Sequence, residues 1–326
     1  MNLSRRPRRN RKNAAIRELI AETTLNPSHL VYPVFICSGE KISAPIQTMP
    51  GQSRQSLDVL CEKIQQWKSL GLRHLALFPQ IDEKLKDSRA TEALNNDGLL
   101  ATAIKKIKDA HPDIHLITDV AMDPFSSDGH DGLVENGKIL NDASVEILSA
   151  MALKQAQWGS DCVAPSDMMD GRVGAIRKAL DSEGFTETSI LSYSAKYASS
   201  FYGPFREALN SAPKSGDKKT YQMDFRNSRE ALLEIELDIE EGADMVMVKP
   251  GLAYLDIISQ IKQNFSVPVA AYNVSGEYAM LKAAAQLGAL NEEAAILETL
   301  MAFRRAGADA IFTYFAPQAS EILAKA

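Results

Sequence analysis

A chain of 326 residues, 45% hydrophobic and 24% charged, has the composition of an ordinary globular protein with ample apolar material for a core. Its formal net charge of −6 argues against a nucleic-acid-binding protein, and no apolar run approaches the roughly 20 residues that a membrane-spanning helix needs. The three cysteines, Cys37, Cys61 and Cys162, are scattered and odd in number, which favours a reduced, cytoplasmic protein over a disulfide-linked one.

The chain begins with a basic segment, in which arginines and one lysine surround Pro7 between Arg5 and Lys12. No apolar stretch follows, so a secretory signal peptide is not expected. A solvated tail, a transit peptide, a nucleic-acid-binding arm and an arm that grasps another subunit all fit the charge pattern. We therefore treat residues 1–25 as a candidate N-terminal arm, separate from a single domain of residues 26–326.

Short apolar, β-rich runs alternate with longer amphipathic runs almost to the C-terminus. The predicted strands are His29–Ile36, His74–Pro79, His115–Ala121, Asp161–Ser166, Ser189–Ala195, Asp244–Pro250, Pro268–Val274 and Ala310–Ala316. The predicted helices are Ser56–Leu70, Leu99–Ala110, Asp142–Trp158, Gly171–Ser182, Ser228–Glu241, Leu255–Asn264 and Glu292–Ala306. Continuous apolar strands that alternate with helices indicate βαβ units and a buried parallel sheet.

Eight such strands favour a closed (β/α)8 barrel, the TIM barrel, with an extended N-terminal arm. The alternative is a doubly wound open sheet, but the sequence has no glycine-rich loop of the dinucleotide-binding or P-loop type. Two long loops, Asp123–Asn141 after the third strand and Ser199–Phe225 after the fifth, interrupt the pattern. In a barrel both would cover the C-terminal mouth, where active sites of this fold lie, and would act as lids.

Two lysines end neighbouring predicted strands. Lys249 ends the apolar run Met245–Val248 and is followed by Pro250 and Gly251, and Lys196 follows the run ending at Ala195. Burial at the barrel rim disfavours an ammonium, and each amine raises the cost of charging the other, so we expect the pKa of both lysines to fall. An uncharged lysine amine attacks a ketone to form a Schiff base, and two such amines indicate two carbonyl substrates held side by side.

Several long strings then match one family in the correct order, from the basic start to the last strand. They are Tyr193–Arg206, Met247–Gly251, Ala164–Arg172, Val274–Glu277 and Arg304–Asp309. By these motifs the chain resembles the porphobilinogen synthase (5-aminolaevulinate dehydratase) family. The resemblance implies a hydro-lyase that condenses two molecules of 5-aminolaevulinate to porphobilinogen in tetrapyrrole (haem and chlorophyll) biosynthesis.

The resemblance also implies the roles of individual residues. Lys196 and Lys249 would each form an imine with one substrate molecule, and Lys249 matches the lysine that holds the propionate-side molecule. Carboxylate-binding groups of the family match the basic pair Arg206 and Lys218 and the hydroxyl pair Ser275 and Tyr314. Lys218 stands where many members have arginine, so it keeps the charge but loses the bidentate geometry.

The metal requirement differs from that of zinc-dependent members, which carry three cysteines in the loop after the third strand. The matching positions here are Ala121, Asp123 and Asp131. Without thiolates we expect no catalytic zinc. Asp119, Asp123 and Asp131 could instead bind a hard cation loosely through oxygen or take part in proton transfer, and we favour a direct catalytic role.

A second cation is implied on the helix before the sixth strand, where Glu234 and Asp238 share one face. Glu234 matches the residue that binds an activating, allosteric Mg²⁺ at a subunit contact in many members, and Asp238 is a weaker candidate ligand. The resemblance further implies a homo-octamer of dimers in which the arm wraps a neighbouring subunit. No organic cofactor, nucleic-acid partner or membrane contact is expected.

Two other functions remain open from the residues alone. A class I aldolase of sugar or keto-acid metabolism would share the barrel and a Schiff base, but it needs one lysine and leaves Lys196 or Lys249 unused. A non-catalytic barrel that serves only in assembly would be expected to have lost a nucleophile, and both are present here.

Overall fold

The computed structural model describes residues 3–325, and the predicted outer ends of the two units, at residues 1 and 326, lie outside the described residues. Eight parallel strands pair in chain order, and the last pairs with the first, so the sheet closes into a barrel. The predicted (β/α)8 barrel is confirmed. The strands are β1 Leu30–Ile36, β2 His74–Pro79, β3 His115–Val120, β4 Cys162–Pro165, β5 Ser189–Lys196, β6 Met245–Lys249, β7 Val269–Asn273 and β8 Ala310–Thr313.

Helices surround the barrel, and those that were predicted begin and end within one residue of the expected positions. The α-helices are α1 Ala14–Leu19, α2 Leu57–Ser69, α3 Leu99–Ala110, α4 Asn141–Trp158, α5 Arg172–Ser182, α6 Gly203–Leu209, α7 Arg229–Glu240, α8 Leu255–Asn264, α9 Ser275–Gln286, α10 Glu292–Ala306 and α11 Ala316–Lys325. The helices α1, α6, α9 and α11 were not predicted. The last strand was predicted to reach Ala316, but that residue begins α11, where Pro317 suits a first helical turn.

The core follows the apolar pattern of the sequence. Every residue of β1, β4 and β7 is buried, as expected for parallel strands that are covered on both faces. The surrounding helices bury one face only, and α8 does so with Ile257, Ile258 and Ile261. The barrel therefore has a continuous apolar wall that holds the strand ends in fixed positions.

An aspartate just before each of three barrel strands ties that strand to the beginning of its neighbour. The aspartate carboxylate accepts the backbone N–H of the neighbouring strand, and its own backbone N–H donates to the carbonyl of the same residue. Both polar groups at the strand start are thereby satisfied. The pairs are Asp161 with Leu116, Asp244 with Ile190 and Asp309 with Val269, with Oδ2 to N distances of 2.8, 2.7 and 2.8 Å.

Two long segments lie at the C-terminal rim, as predicted. The β3 rim loop, residues 121–140, contains a short hairpin in which Val134–Glu135 pairs with Lys138–Ile139. The β5 rim loop, residues 197–225, contains a 3₁₀ turn at Ser200–Tyr202 and then α6. A second short hairpin, Ser43–Pro45 with Ser53–Gln55, extends the sheet beside the end of β1.

The basic N-terminal segment packs little against the barrel. A 3₁₀ turn at Pro7–Arg11 precedes α1, and no residue from 3 to 20 is buried. Leu19 is 80% exposed, although it is apolar. The segment therefore exposes the apolar and basic side chains that the predicted arm would use.

Candidate active site

Lys196 and Lys249 are the last residues of β5 and β6, and they are register partners across the two neighbouring strands. Side chains of residues that lie side by side in a parallel sheet point to the same face. Both amines therefore lie at the C-terminal rim of the barrel, as predicted. Each residue is more than nine-tenths buried, with 5% and 7% of its surface exposed.

A β-bulge in β5 brings Lys196 to this position. Between Ser192 and Ala195 the strand holds one residue more than the facing part of β6. The hydroxyl of Ser192 bonds helix side chains outside the barrel, and the ring of Tyr193 faces Lys249 on the inside. Strict alternation from Tyr193 would point Lys196 outward, so the extra residue is what turns its amine into the barrel.

The Lys249 amine lies among aromatic rings. Its Nζ is 4.7 Å from the ring centroid of Tyr272, 4.9 Å from that of Tyr193, 5.1 Å from that of Phe205 and 5.4 Å from that of Tyr202. Within residues 3–325 this nitrogen has no hydrogen-bond or ion-pair partner. Burial, reinforced by the nearby charge of Lys196, lowers the pKa of Lys249 to about 7.

Lys196 has a different environment. Its Nζ donates to the backbone carbonyl of Ser166, just after β4, and lies 3.1 Å from Oδ2 of Asp131. The two amines therefore share one rim but differ in their contacts, since Lys249 lies among aromatic rings and Lys196 pairs with a carboxylate.

Asp131 is the centre of a buried charge cluster at this rim. Its other oxygen, Oδ1, lies 2.6 Å from Nζ of Lys218, and Lys218 also lies 3.2 Å from Oδ2 of Asp123. Burial alone would raise the pKa of Asp131, but the charges of Lys196 and Lys218 hold it well below its ordinary value. Burial would likewise lower the pKa of Lys218, but Asp123 and Asp131 raise it. Asp131 and Lys218 are therefore held as ions.

Asp119, near the end of β3, has the opposite character. One of its carboxylate oxygens is buried and has no hydrogen-bond partner among the described residues. Burial and the neighbouring charge of Asp123 raise the pKa of Asp119 to about 7, although both lysines of the pair oppose the rise. Burial also raises the pKa of Asp123. A carboxyl with a pKa near 7 can both give and take a proton at neutral pH.

The four predicted carboxylate-binding residues lie around the amines in two groups. Arg206 and Lys218 line a cavity of about 550 Å³ at the mouth of the barrel. Ser275 begins α9, and its Oγ accepts the backbone N–H of Phe205 at 3.0 Å. The hydroxyl of Tyr314 lies 3.1 Å from that of Tyr272, whose ring contacts Lys249.

The predicted cation ligands Glu234 and Asp238 do not share one environment. Asp238 is buried, and the guanidinium of Arg172 binds both of its carboxylate oxygens at 2.9 and 3.1 Å while Ser192 donates to one of them. Glu234 is half-buried, and burial raises its pKa to about 7. The prediction for Asp238 is therefore corrected: its oxygens are committed to Arg172, and only Glu234 is available to a cation.

No group of three or more His, Cys, Asp or Glu side chains is arranged to hold a metal ion in the part of the chain that the structure describes. The aspartates after β3 illustrate why. Asp123 and Asp131 direct oxygens at the ammonium of Lys218, which occupies the position that a cation between them would take. The negative charge of these two aspartates is thus compensated by the Lys218 ammonium and not by a metal ion.

Sequence reasoning missed the aromatic rings around Lys249 and the Ser166 carbonyl at Lys196. One signal was available for the rings, because Tyr193 and Tyr272 interrupt buried strands with a hydroxyl that needs a partner. No side-chain pattern could indicate a backbone carbonyl. The Arg172–Asp238 pair also gave no signal, since its members are far apart in the sequence.

Comparisons with known proteins agree on one family. The family model described as Delta-aminolevulinic acid dehydratase matches residues 4–322. The chloroplastic delta-aminolevulinic acid dehydratase of Oryza sativa subsp. japonica is 54% identical over 325 residues, which are 99% of this chain and 76% of the rice protein. The delta-aminolevulinic acid dehydratase of Chlamydia pneumoniae is 52% identical, covering 99% of this chain and 97% of that protein.

A solved structure is also similar. It is the crystal structure of delta-aminolevulinic acid dehydratase (porphobilinogen synthase) from Toxoplasma gondii ME49 in complex with the reaction product porphobilinogen. The TM-score is 0.96 at 55% sequence identity, and the match covers 98% of this chain and 91% of that chain.

The relatives correct one prediction. The cysteine pattern was interpreted as evidence for a cytoplasmic protein, but the relatives from rice, Glycine max and Arabidopsis thaliana are chloroplastic by name. The cytoplasmic assignment is wrong as a deduction, because sparse, unpaired cysteines report a reducing environment and do not identify a compartment. Among residues 3–325, no helix has the length and apolar character to cross a membrane.

Proposed function

The chain belongs to the delta-aminolevulinic acid dehydratase family of hydro-lyases, which form porphobilinogen from 5-aminolaevulinate, and on that premise we propose that Lys249 and Lys196 carry the condensation. The observation that supports this assignment best is the pair of buried amines on register-paired strand ends. Each amine binds one substrate molecule as a Schiff base. The two molecules are then held side by side, which removes the entropic cost of bringing them together.

Lys249 reacts first in this proposal, because its amine has a pKa of about 7 and is partly uncharged at neutral pH. The amine attacks the ketone carbon of one 5-aminolaevulinate, and the carbinolamine loses water to leave a protonated imine. Asp119, whose pKa is also about 7, supplies the proton with which the hydroxyl departs as water. The four ring faces around Nζ stabilise the cationic imine.

Lys196 must lose a proton before it can attack the second molecule. Asp131 is a poor base, since the charges of Lys196 and Lys218 outweigh the effect of burial and hold its pKa low. Asp119 has become a carboxylate after the first step, and it interacts electrostatically with both lysines, so it accepts this proton. The second imine then forms with loss of the second water, carbon–carbon and carbon–nitrogen bonds join the two molecules, and both amines are released.

The carboxylates of the two substrate molecules are bound by the two groups described above. Arg206 and Lys218 provide positive charge at the mouth cavity, and Ser275 and Tyr314 provide hydroxyl donors beside the aromatic rings. Lys218 already bridges Asp123 and Asp131, so an incoming carboxylate shares this ammonium with them. Substrate binding is thereby linked to the charge cluster that holds Lys196.

Mg²⁺ is proposed as an activating ion at Glu234, away from the amines. The half-buried Glu234 carboxylate has no protein hydrogen-bond partner among residues 3–325, and the charged groups around it are Arg172 and the carboxylates of Asp238, Asp170 and Glu230. Mg²⁺ keeps several waters and needs only one or two carboxylates, so Glu234 alone can hold it. The bound ion would neutralise these carboxylates, and no catalytic zinc is proposed because the positions after β3 carry no thiolate.

Assembly is proposed through the N-terminal arm, with octamers built from dimers. Residues 3–20 present basic and apolar side chains to solvent, which is the surface needed to grasp a neighbouring subunit. Light scattering with and without Mg²⁺ tests this assignment. A monomer in both conditions contradicts it.

Incubation with 5-aminolaevulinate and Mg²⁺, followed by the acidic dimethylaminobenzaldehyde colour test for the pyrrole, tests the activity. We expect colour with the wild-type protein and none with Lys249→Ala. A selective zinc chelator should leave the colour largely unchanged. Folded protein that gives no colour contradicts the proposed function. A class I aldolase that uses only Lys249 would keep its Schiff-base activity after Lys196→Ala.

A further inference from the structure

Two rim loops are locked together beside the lysine pair. The backbone N–H of Lys214, in the β5 rim loop, donates to the carbonyl of Asp128, in the β3 rim loop, at 3.0 Å. Gly129 has a φ of +70°, and a Cβ at this residue would collide with the backbone of Ala212. The two loops thus touch through their backbones, and only glycine fits at the contact.

A chain of hydrogen bonds through His130 and Tyr221 crosses the same contact. The His130 ring lies 2.9 Å from the carbonyl of Ser215 through Nε2 and 3.1 Å from the hydroxyl of Tyr221 through Nδ1. The Tyr221 oxygen lies 3.3 Å from the backbone nitrogen of Asp131. His130 is only 5% exposed, so its ring is largely shielded from water, whereas Ser215 is exposed and Tyr221 is partly buried.

The chemistry of these partners fixes the direction of the chain. A carbonyl only accepts, so the tautomer that fits these partners has its proton on Nε2 and an acceptor at Nδ1. The Tyr221 hydroxyl therefore donates to Nδ1, and its oxygen accepts the N–H of Asp131. Burial raises the pKa of Tyr221, which keeps this hydroxyl protonated. Every donor in this series of hydrogen bonds has an acceptor.

This series of hydrogen bonds joins the two parts of the charge cluster. Asp131 immediately follows His130 and binds Lys196 and Lys218 through its side chain. Lys218 lies between Ser215 and Tyr221 on the opposite loop. The hydrogen bonds therefore hold both sides of the segment that carries Lys218 against the residue that anchors Lys196.

We propose that His130 and Tyr221 form a latch that closes residues 211–223 over the lysine pair and positions Lys218 for a substrate carboxylate. Both are positioning residues, since they act through Asp131 and Lys218. The inference rests on the proposed function for the identity of the substrate, but the closing of the loop depends only on the contacts above.

Hydrogen–deuterium exchange and steady-state kinetics on the full chain test the latch. Tyr221→Phe removes the hydroxyl that bonds His130 and the backbone of Asp131. We therefore expect the backbone amides of residues 211–223 to exchange about fivefold faster. KM for 5-aminolaevulinate should rise by up to about fivefold, because only the closed form presents Lys218, while kcat stays within about twofold. His130→Ala should have the larger effect, and His130→Gln should restore part of it by donating to Ser215.

His111→Gln is the matched control, because His111 is also a buried histidine whose ring bonds a backbone carbonyl, that of Cys61, outside the rim loops. In the His111→Gln protein, amide exchange in residues 211–223 and KM should equal those of the wild type. Exchange within twofold of wild type in both Tyr221→Phe and His130→Ala overturns the latch, as does a fall in kcat with KM unchanged. A wild-type protein that forms no pyrrole would instead refute the proposed function and leave the exchange result interpretable.

Discussion

Replacing Lys249 with methionine should abolish turnover and at the same time stabilise the protein. The pKa of Lys249 is about 7 in the fold, against 10.5 for an ordinary lysine. Between these values the unfolded chain binds a proton that the folded chain does not, so the free energy of unfolding falls as the pH drops from 10.5 to 7. Each pKa unit corresponds to about 1.4 kcal/mol, so burying this amine costs about 5 kcal/mol below pH 7.

Methionine has a similar length and fills apolar space, so Lys249→Met removes this cost without opening a cavity. We expect the gain in free energy of unfolding to be largest near pH 6, at about 4–5 kcal/mol, and to shrink to about 2 kcal/mol at pH 9. Urea denaturation at both pH values, at one subunit concentration, measures it. The exposed Lys178→Met is the control, and it should change stability little at either pH.

A Lys249→Met protein that is less stable than the wild type at pH 6 would refute this reasoning. So would a gain that is the same at pH 6 and pH 9, because the linkage requires a pH dependence. Either result would mean that the rings stabilise the ammonium by cation–π attraction more than burial destabilises it, and the amine would then not be free for attack at neutral pH.

Three further predictions concern the charged groups around the amines. Asp131→Asn leaves Lys196 and Lys218 without their shared carboxylate, and we expect kcat in the pyrrole assay to fall at least about 100-fold. Asp238→Ala removes the carboxylate that binds two nitrogens of the buried Arg172 and leaves only the longer contact with Asp167, at 3.8 Å, so it should cost about 3 kcal/mol of unfolding free energy in urea denaturation, although Arg172 does not touch the lysine pair. Glu234→Gln should abolish activation by added Mg²⁺ and retain the activity seen without it; undiminished activation would contradict the proposed Mg²⁺ site.

Most of the barrel could be predicted from the sequence because its strands are continuous apolar runs. The boundaries of β2 agree with the prediction, and those of β6 differ by one residue at each end. The early start predicted for β4 and β6 has a physical reason. Asp161 and Asp244 stand at the first predicted position, but their side chains bind the neighbouring strand and do not continue their own.

The candidate site could be predicted as a list of residues but not as an arrangement. Lys249 follows from a lysine at the end of an apolar strand, and it is buried as expected, although the rings around it were not predicted. Lys196 needed the bulge before it to face inward, and a bulge leaves no signature in a pattern of residue types. Its ion pair with Asp131 joins residues 65 positions apart, so the difference between the two amines was invisible in the sequence.

Asp238 also shows that the sequence gives the position of a residue but not its contacts. Its spacing of four residues from Glu234 correctly places both on one helical face, but only the fold shows that this position faces Arg172. A carboxylate that is already bound by a guanidinium is a different chemical group from a free one. Helical spacing therefore predicted the neighbourhood of the two acidic residues and not the availability of their oxygens.

Borohydride trapping with 5-aminolaevulinate over a short time course tests the central claim most directly, because reduction fixes each imine to the lysine that formed it. Peptide mass analysis should find the first adduct on Lys249, and an adduct on Lys196 should follow as the second substrate molecule binds. Adducts on neither lysine, in a protein that forms the pyrrole, would contradict the account.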